Sequence, residues 1–308
     1  MESIFRDIKL YYEPRRECLN MYEWPSTEPE MTEFESAFLC GLIKQREPRK
    51  IVEVGVAAGG TTAIIVKSLE LLSLKTQCEV YSVDISEFFY RGKGERCGYL
   101  ADEVLNESHP NIKHKFLLGK LLPEIIDEIG DNIDFVILDT THSLPGEILD
   151  FLAIYPYLKK NACVVLHDIA LNHYGSNPLY AFATQLLFSC VVADKILNTD
   201  ESRPMRYPNI GAFTINDDTS KHLDDVFNSL LITWESLIND AAFKIYFNHY
   251  VRHYGKQTGD FFSMIYKLQK ETHETVIRNK KQMVSRQSIS YKIGRFVTWI
   301  PRKLFNIP

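Results

Sequence analysis

The 308-residue chain carries 35 basic and 40 acidic side chains, a formal net charge of −5. That average hides a split: Thr275 to Pro308 holds eight basic residues and no acid, so these 34 residues carry +8 and the preceding 274 carry −13. With 45% hydrophobic and 24% charged residues the composition is that of a globular protein. No apolar stretch reaches the roughly 18–20 residues of a membrane-spanning helix. The first ten residues, with Glu2, Arg6, Asp7 and Lys9, lack the apolar core of a signal peptide. Neither an integral membrane protein nor a secreted one is expected, and a cytoplasmic location is. Cys18, Cys40, Cys78, Cys97, Cys163 and Cys190 form no C-x-x-C pair, which argues for reduced thiols rather than a zinc or disulfide framework.

In chain order, residues 1–30, with Pro14, Pro25 and Pro29, read as an irregular lead-in. Thr32 and Glu35 have capping-box spacing and open an amphipathic helix that Pro48 ends. A regular alternation follows. Strands are expected at Lys50–Val54, Glu79–Ile85, Lys115–Leu118, Asp134–Leu138 and Ala162–Leu166. Helices are expected at Thr61–Leu74, Tyr99–Asn106, Leu121–Ile129 and Glu147–Leu158. Such alternation predicts parallel βαβ units in an open sheet covered on both faces. Leu179–Phe188 adds a helix, and Val191–Leu197 and Ala212–Ile215 supply two more strands, seven in all. From Thr219 only helical spacing remains, including the aromatic-rich stretch Phe243–Tyr266. The fold class is therefore α/β, a Rossmann-like doubly wound seven-stranded sheet with an all-helical C-terminal extension. Its expected divisions are 1–48 (lead-in and helix), 49–217 (sheet domain), 218–285 (helical appendage) and 286–308 (basic amphipathic tail).

The first strand runs into a glycine-rich turn, Gly55-Val56-Ala57-Ala58-Gly59-Gly60-Thr61-Thr62. Glycines there let a ligand approach the backbone, and the following helix adds free N–H donors. The dinucleotide fingerprint is not met, because Ala57 holds its middle glycine position, and no P-loop Gly-Lys-Ser/Thr occurs. Glu53 at the strand end suits a cationic ligand group and would repel a pyrophosphate. Asp84 closes the second strand, where an acid can accept hydrogen bonds from a ribose diol. The alternative is a plain tight turn with Asp84 as a helix cap.

E-V-G-x-x-x-G-G-T-T followed by Y-S-V-D resembles the cofactor motif of class I S-adenosylmethionine (SAM)-dependent methyltransferases. The resemblance implies SAM as cofactor, with Glu53 near the methionine ammonium and Asp84 on the ribose. Gly55, Ala57, Gly59, Thr61, Thr62, Gly119 and Asp139 are the further cofactor-binding candidates.

Two later strand ends face the same crevice, Asp139-Thr140-Thr141-His142-Ser143 and His167-Asp168-Ile169. Titratable groups gathered there make a divalent metal site or an acid/base pair. Their spacing resembles D-x-x-H-S…H-D of sugar and small-molecule O-methyltransferases grouped with cephalosporin-hydroxylase-like proteins and catechol-type enzymes, over roughly residues 50–170. Thr141 stands where that group often has an acid, and Ile169 where catechol-type enzymes place a ligating Asn. The metal question therefore stays open between Mg²⁺ on Asp139 and Asp168 and a metal-free site. His142 is the expected base, with Asp139 orienting it, and His167 is the second candidate. His173 reads as a structural residue.

In the tail, Ile289, Ile293, Phe296, Val297, Ile300 and Leu304 follow helical spacing beside Lys292, Arg295, Trp299, Arg302 and Lys303. Such a segment can lie on an anionic membrane surface or remain a solvated tail. It resembles tails on bacterial enzymes of surface-polysaccharide assembly. The expectation is a SAM-dependent O-methyltransferase acting on a sugar or glycan-precursor hydroxyl, with peripheral membrane contact through the tail. No nucleic-acid partner is expected, because the acidic body would repel phosphates. A homo-oligomer stays open. The alternatives are a methyltransferase or hydroxylase-like enzyme on a small metabolite, and an inactive SAM-fold scaffold.

Overall fold

The computed structural model describes residues 6–24, 30–72, 77–107, 110–174, 180–203 and 206–278. The tail 286–308 lies outside the described residues, as do parts of the expected elements at Leu74 and Leu179. No helix among the described residues is long and apolar enough to cross a membrane.

The lead-in contains a helix, α1 (Glu13–Met21), that the prolines had argued against. Pro14 sits in its first turn, where a missing N–H costs nothing and a fixed φ favours the helix. The capping box of α2 (Glu33–Arg46) forms as expected: Glu35 Oε2 accepts from Thr32 N at 2.7 Å, and Thr32 Oγ1 from Glu35 N at 3.3 Å. The alternation continues through β1 (Lys50–Val54), α3 (Gly60–Leu71), β2 (Cys78–Asp84), α4 (Asp102–Asn106), β3 (Ile112–Leu118), α5 (Leu122–Ile129), β4 (Ile133–Leu138), α6 (Gly146–Ile154) and β5 (Leu158–His167). Next come α7 (Leu171–Tyr174), α8 (Ala183–Cys190), β6 (Asp194–Ile196) and β7 (Ile210–Thr214).

The seven strands lie in the order β3-β2-β1-β4-β5-β7-β6. β1 to β5 pair in parallel, whereas β7 runs antiparallel to both β5 and β6. Strand order reverses between β1 and β4, so a crevice opens at the carboxyl ends of these two strands, the usual place for a ligand in such sheets. Side-chain alternation divides the interior into two layers. Val52, Val136 and Val164 face α5 and α6, whereas Ile51, Phe135 and Cys163 face α2 and α3.

Beyond β7 the chain is helical, in α9 (Asp217–Lys221), α10 (Leu223–Ser229), α11 (Asp240–Tyr254) and a helix over 256–278. These helices do not form a separate core. Trp234, Tyr250 and Phe262 are fully buried in the same apolar layer as α5, α6 and the sheet. Each such side chain contributes roughly 1.5–3 kcal/mol of transfer free energy. Tyr250 donates its hydroxyl to Leu149 O at 3.0 Å, and His249 Nε2 lies 2.9 Å from Ala153 O, which fixes α11 against α6. The change of pattern near residue 217 is thus a change of element type within one hydrophobic layer.

Candidate active site

A cavity of about 550 Å³ opens at the carboxyl ends of β1, β2 and β4. Its floor is the turn from Gly55 to Thr61. Gly55 is at φ +98°, and a Cβ there would lie 1.7 Å from Asp139 O, so only glycine lets β1 and β4 approach this closely. Gly59, at φ +94°, is pressed against Gly98 in the same way. Ala57 itself adopts φ +48°, the left-handed conformation a glycine would hold more cheaply.

Asp84 joins the turn to β2. Its Oδ2 accepts from Val56 N at 2.9 Å and Ala57 N at 3.2 Å, and its Oδ1 from Ser86 N at 2.8 Å. It therefore braces the glycine turn as well as lining the cavity. The cavity wall takes in Gly55, Ala57, Gly59, Thr61, Asp84, Asp139 and His142 from the expected site residues.

The structure does not bring Glu53, Thr62 or Gly119 to that wall. Glu53 points with Ile51 toward α3, is fully buried, and accepts from Thr62 Oγ1 and Ser82 Oγ, each at 2.6 Å. Burial raises its carboxyl to about 7, against the pull of the Ser82 and Thr62 hydroxyls. Glu53 stands two residues before Gly55 and is turned by alternation to the α3 side of the sheet, which end-of-strand reasoning overlooked. Gly119, at φ +75°, donates its N–H to Asp84 O at 2.9 Å and seats the loop after β3.

At the ends of β4 and β5, Asp139, His142 and Asp168 each offer one ligand atom within 4.8 Å of the others. His142 Nε2 lies 3.1 Å from Asp168 Oδ2 and 3.7 Å from Asp139 Oδ1, and its Nδ1 lies 3.3 Å from Glu147 Oε1. Burial would lower the imidazole, but Glu147, Asp139 and Asp168 outweigh it and bring it up to about 9. His142 at φ +57° and Asp168 at φ +59° both hold left-handed backbone, a cost that persists where the surroundings enforce it.

His167 lies behind this cluster, buried between two carboxylates, with Nδ1 3.1 Å from Asp139 Oδ1 and Nε2 3.5 Å from Glu35 Oε2. Burial opposes its charge, yet Asp139 and Asp168 hold it well above the ordinary value. A ring with both nitrogens facing acids is placed to hold Asp139 rather than to reach a substrate. Asp139 is correspondingly lowered: burial would raise it, but His167 dominates. Asp139, Asp168, Glu147 and Glu35 surround two imidazoles, with Arg203 paired to Glu35 at the far side, so acids outnumber cations here and the site favours a cationic guest.

Sequence reasoning missed several participants. Glu35 was legible only as a capping residue, yet it also reaches Arg203, 2.9 Å away, and His167. Asn209, before β7, donates its side-chain amide to Asp168 and accepts from Ala170 N at 3.0 Å. It approaches Asp168 from another segment, while Ile169, in the place of a ligating Asn, is buried in the core. Glu30, Ser236, Ile238 and Tyr246 also line the cavity. No local signal marks these residues, because tertiary packing alone brings them in.

The strand order and the glycine turn define a Rossmann-like doubly wound fold with the antiparallel β7 inserted between β5 and β6. Residues 52–169 match the model of a family described as a methyltransferase domain. Among solved structures, it is similar to the O-methyltransferase TomG from Streptomyces achromogenes, involved in tomaymycin synthesis, in complex with SAM (14% identity, 68% of this chain and 92% of that one, TM-score 0.45). It is also similar to the Bacillus cereus O-methyltransferase in complex with SAH (13%, 66% and 90%, TM-score 0.41). A third is the SAH-bound Podospora anserina methyltransferase PaMTH1 (11%, 67% and 87%, TM-score 0.43). No curated protein matches the chain.

Proposed function

We propose that this protein transfers the methyl group of SAM to a hydroxyl oxygen of a sugar or glycan precursor. The observation that carries the reading is the convergence of Asp139, His142 and Asp168 beside a cavity floored by the Gly55–Thr61 turn and Asp84. SAM carries a sulfonium and no phosphate, which suits an acid-rich site and a glycine turn without the phosphate fingerprint.

In the reaction, the acceptor oxygen attacks the methyl carbon, the carbon–sulfur bond breaks as the carbon–oxygen bond forms, and SAM leaves as neutral S-adenosylhomocysteine (SAH). A sugar hydroxyl is a weak nucleophile, so its proton must leave during attack. His142 Nε2 is the acceptor for that proton, with Asp139 and Asp168 stabilising the imidazolium. An imidazole raised to about 9 holds its proton at neutral pH, so base strength depends on alkaline pH or on another cation in the cluster. Asp139 and Asp168 offer carboxylate oxygens within 4.8 Å of each other, and Mg²⁺ commonly keeps several waters and binds through one or two carboxylates. Asp139 and Asp168 would hold it, and when bound it would supply Lewis acidity toward the hydroxyl. The sugar acceptor extends the resemblance of the Asp/His spacing, the cytoplasmic location rests on the scattered cysteines, and membrane contact rests on the basic amphipathic pattern of residues 286–308.

Calorimetry with SAM is the first test, followed by SAH release with a panel of free and nucleotide-linked sugars. His142→Ala should keep SAM affinity and lose turnover by about 10²-fold or more. No SAM binding would overturn the reading, and turnover only with non-sugar hydroxyls would move the acceptor class. Truncation at residue 285 should abolish retention on anionic vesicles; equal retention would remove the tail from that role.

A further inference from the structure

The loop that carries His142 is suspended from one buried carboxylate. Glu147, in the first turn of α6, is fully buried. Its Oε1 accepts from His142 N at 2.6 Å, Thr140 Oγ1 at 3.1 Å and Thr140 N at 3.3 Å. The same oxygen lies 3.3 Å from His142 Nδ1, at ion-pair distance though off the line of a hydrogen bond. Two successive constraints follow. The backbone bonds lock residues 140–142 into the arrangement that gives His142 its left-handed φ. The charge on the inner side of the ring then leaves the opposite nitrogen, Nε2, toward Asp168 and Asp139.

The geometry points to Glu147 as a positioning residue that sets the place and ring orientation of His142. This rests on His142 as the base of the proposed methyl transfer. Thr140 belongs to the same device, since its hydroxyl also reaches Asp150 Oδ2 at 3.3 Å and so ties the loop to a second buried carboxyl of α6. Glu147 reaches neither cofactor nor acceptor in this arrangement: it is absent from the cavity wall, whereas Thr140 and His142 line it. Its second oxygen, Oε2, is buried without a hydrogen-bond partner among the described residues. A carboxylate held so incompletely is costly, which fits a residue retained for placement rather than for stability.

The test uses full-length protein with labelled histidine side chains, saturated with SAH. Wild type should give one sharp set of His142 ring signals. Glu147→Gln should keep SAH affinity within about twofold and leave the other histidine signals in place, while the His142 signals shift and broaden as the ring samples other orientations. An unchanged His142 ring signal overturns the proposal. In the SAH-release assay with the sugar panel, Glu147→Gln should lower kcat by about 10²-fold at unchanged KM for SAM. It should add no further loss in a His142→Ala background; an equal loss in both backgrounds shows that Glu147 acts independently and overturns the proposal. Full turnover by His142→Ala would strike the base reading alone, because the ring signal still decides the placement. Should Glu147→Gln fail to fold, Thr140→Val removes one support of the same loop and should produce a weaker change in the same His142 signals, whereas no change there also counts against the proposal.

Discussion

Tyr246 donates its hydroxyl to Asp150 Oδ1 at 2.8 Å, joining α11, from the last third of the chain, to α6 at the wall of the cavity. Burial raises the Asp150 carboxyl to about 7, against the pull of the Tyr246 and Thr140 hydroxyls. The C-terminal helices therefore do more than cover an apolar face, because they supply a hydrogen-bond donor to a carboxyl beside the cavity. Tyr246→Phe should cost about 1–3 kcal/mol, the penalty of a buried acceptor losing its donor. Denaturant unfolding measures it, and a loss below about 0.5 kcal/mol would show that the bond does not hold α11 in place.

Asp84 is the residue on which cofactor binding should depend most steeply. Its carboxylate braces Val56 N and Ala57 N, so its removal loosens the turn as well as removing the proposed ribose acceptor. Asp84→Ala should weaken SAM binding by about 10²-fold or more, since charge-assisted hydrogen bonds of this kind each contribute roughly 1.5–3 kcal/mol. Asp84→Asn keeps an acceptor oxygen and should lose less. Calorimetry that ranked the two variants equally would mean that shape, and not the carboxylate, determines affinity.

Much of this architecture was legible because the chain repeats one physical pattern. Lys50–Val54 is a β-branched run halted at a glycine, and its strand begins and ends where that pattern does. Thr32 and Glu35 announce a helix start by hydrogen bonds only three residues apart. Asp139, His142 and Asp168 were legible as a cluster because adjacent parallel strands must end on one side of a sheet. What the pattern could not carry was direction within an element and contact across the chain. Glu53 sits at the expected strand end but alternation turns it inward, and Glu35 meets His167 only because α2 packs across the sheet. The helix at Glu13–Met21 was hidden by Pro14, whose residue type signals both a break and a first turn. β7 was expected as a strand, but its antiparallel direction depends on a path that periodicity does not encode.

Glu53 should leave its mark on the pH dependence of stability. Its folded pKa of about 7 lies above its ordinary 4.5 because the site is dry. The folded state thus binds the proton more tightly, and the stability this contributes is full below pH 4.5 and lost as pH rises through about 7. Glu53→Gln removes the titration while keeping an oxygen for Thr62 and Ser82. Relative to wild type, the variant should gain up to about 3 kcal/mol between pH 5 and pH 8. Unfolding curves of the two proteins that stay parallel across this range would contradict a buried, titrating Glu53.

Glu35 makes the opposite prediction in the same protein. Burial would raise its carboxyl, but His167 and the capping bonds from Thr32 bring it down to about 2, below its ordinary 4.5. Here the unfolded state binds the proton more tightly, so the stability contributed is full above pH 4.5 and lost as pH falls through about 2. Glu35→Gln takes one carboxylate from the buried His167, which keeps Asp139, and one from the half-buried Arg203, which keeps Asp200 at 3.7 Å. The lowering of Glu35 from 4.5 to about 2 sets the expected cost at about 3 kcal/mol at pH 7. The penalty should shrink steadily between pH 4.5 and pH 2, as wild type loses the same charge by protonation. Denaturant unfolding at pH 7 and at pH 3 separates this from a packing defect, which would cost the same at both. A penalty independent of pH would mean that Glu35 acts as a helix cap alone and that His167 holds Asp139 without its help.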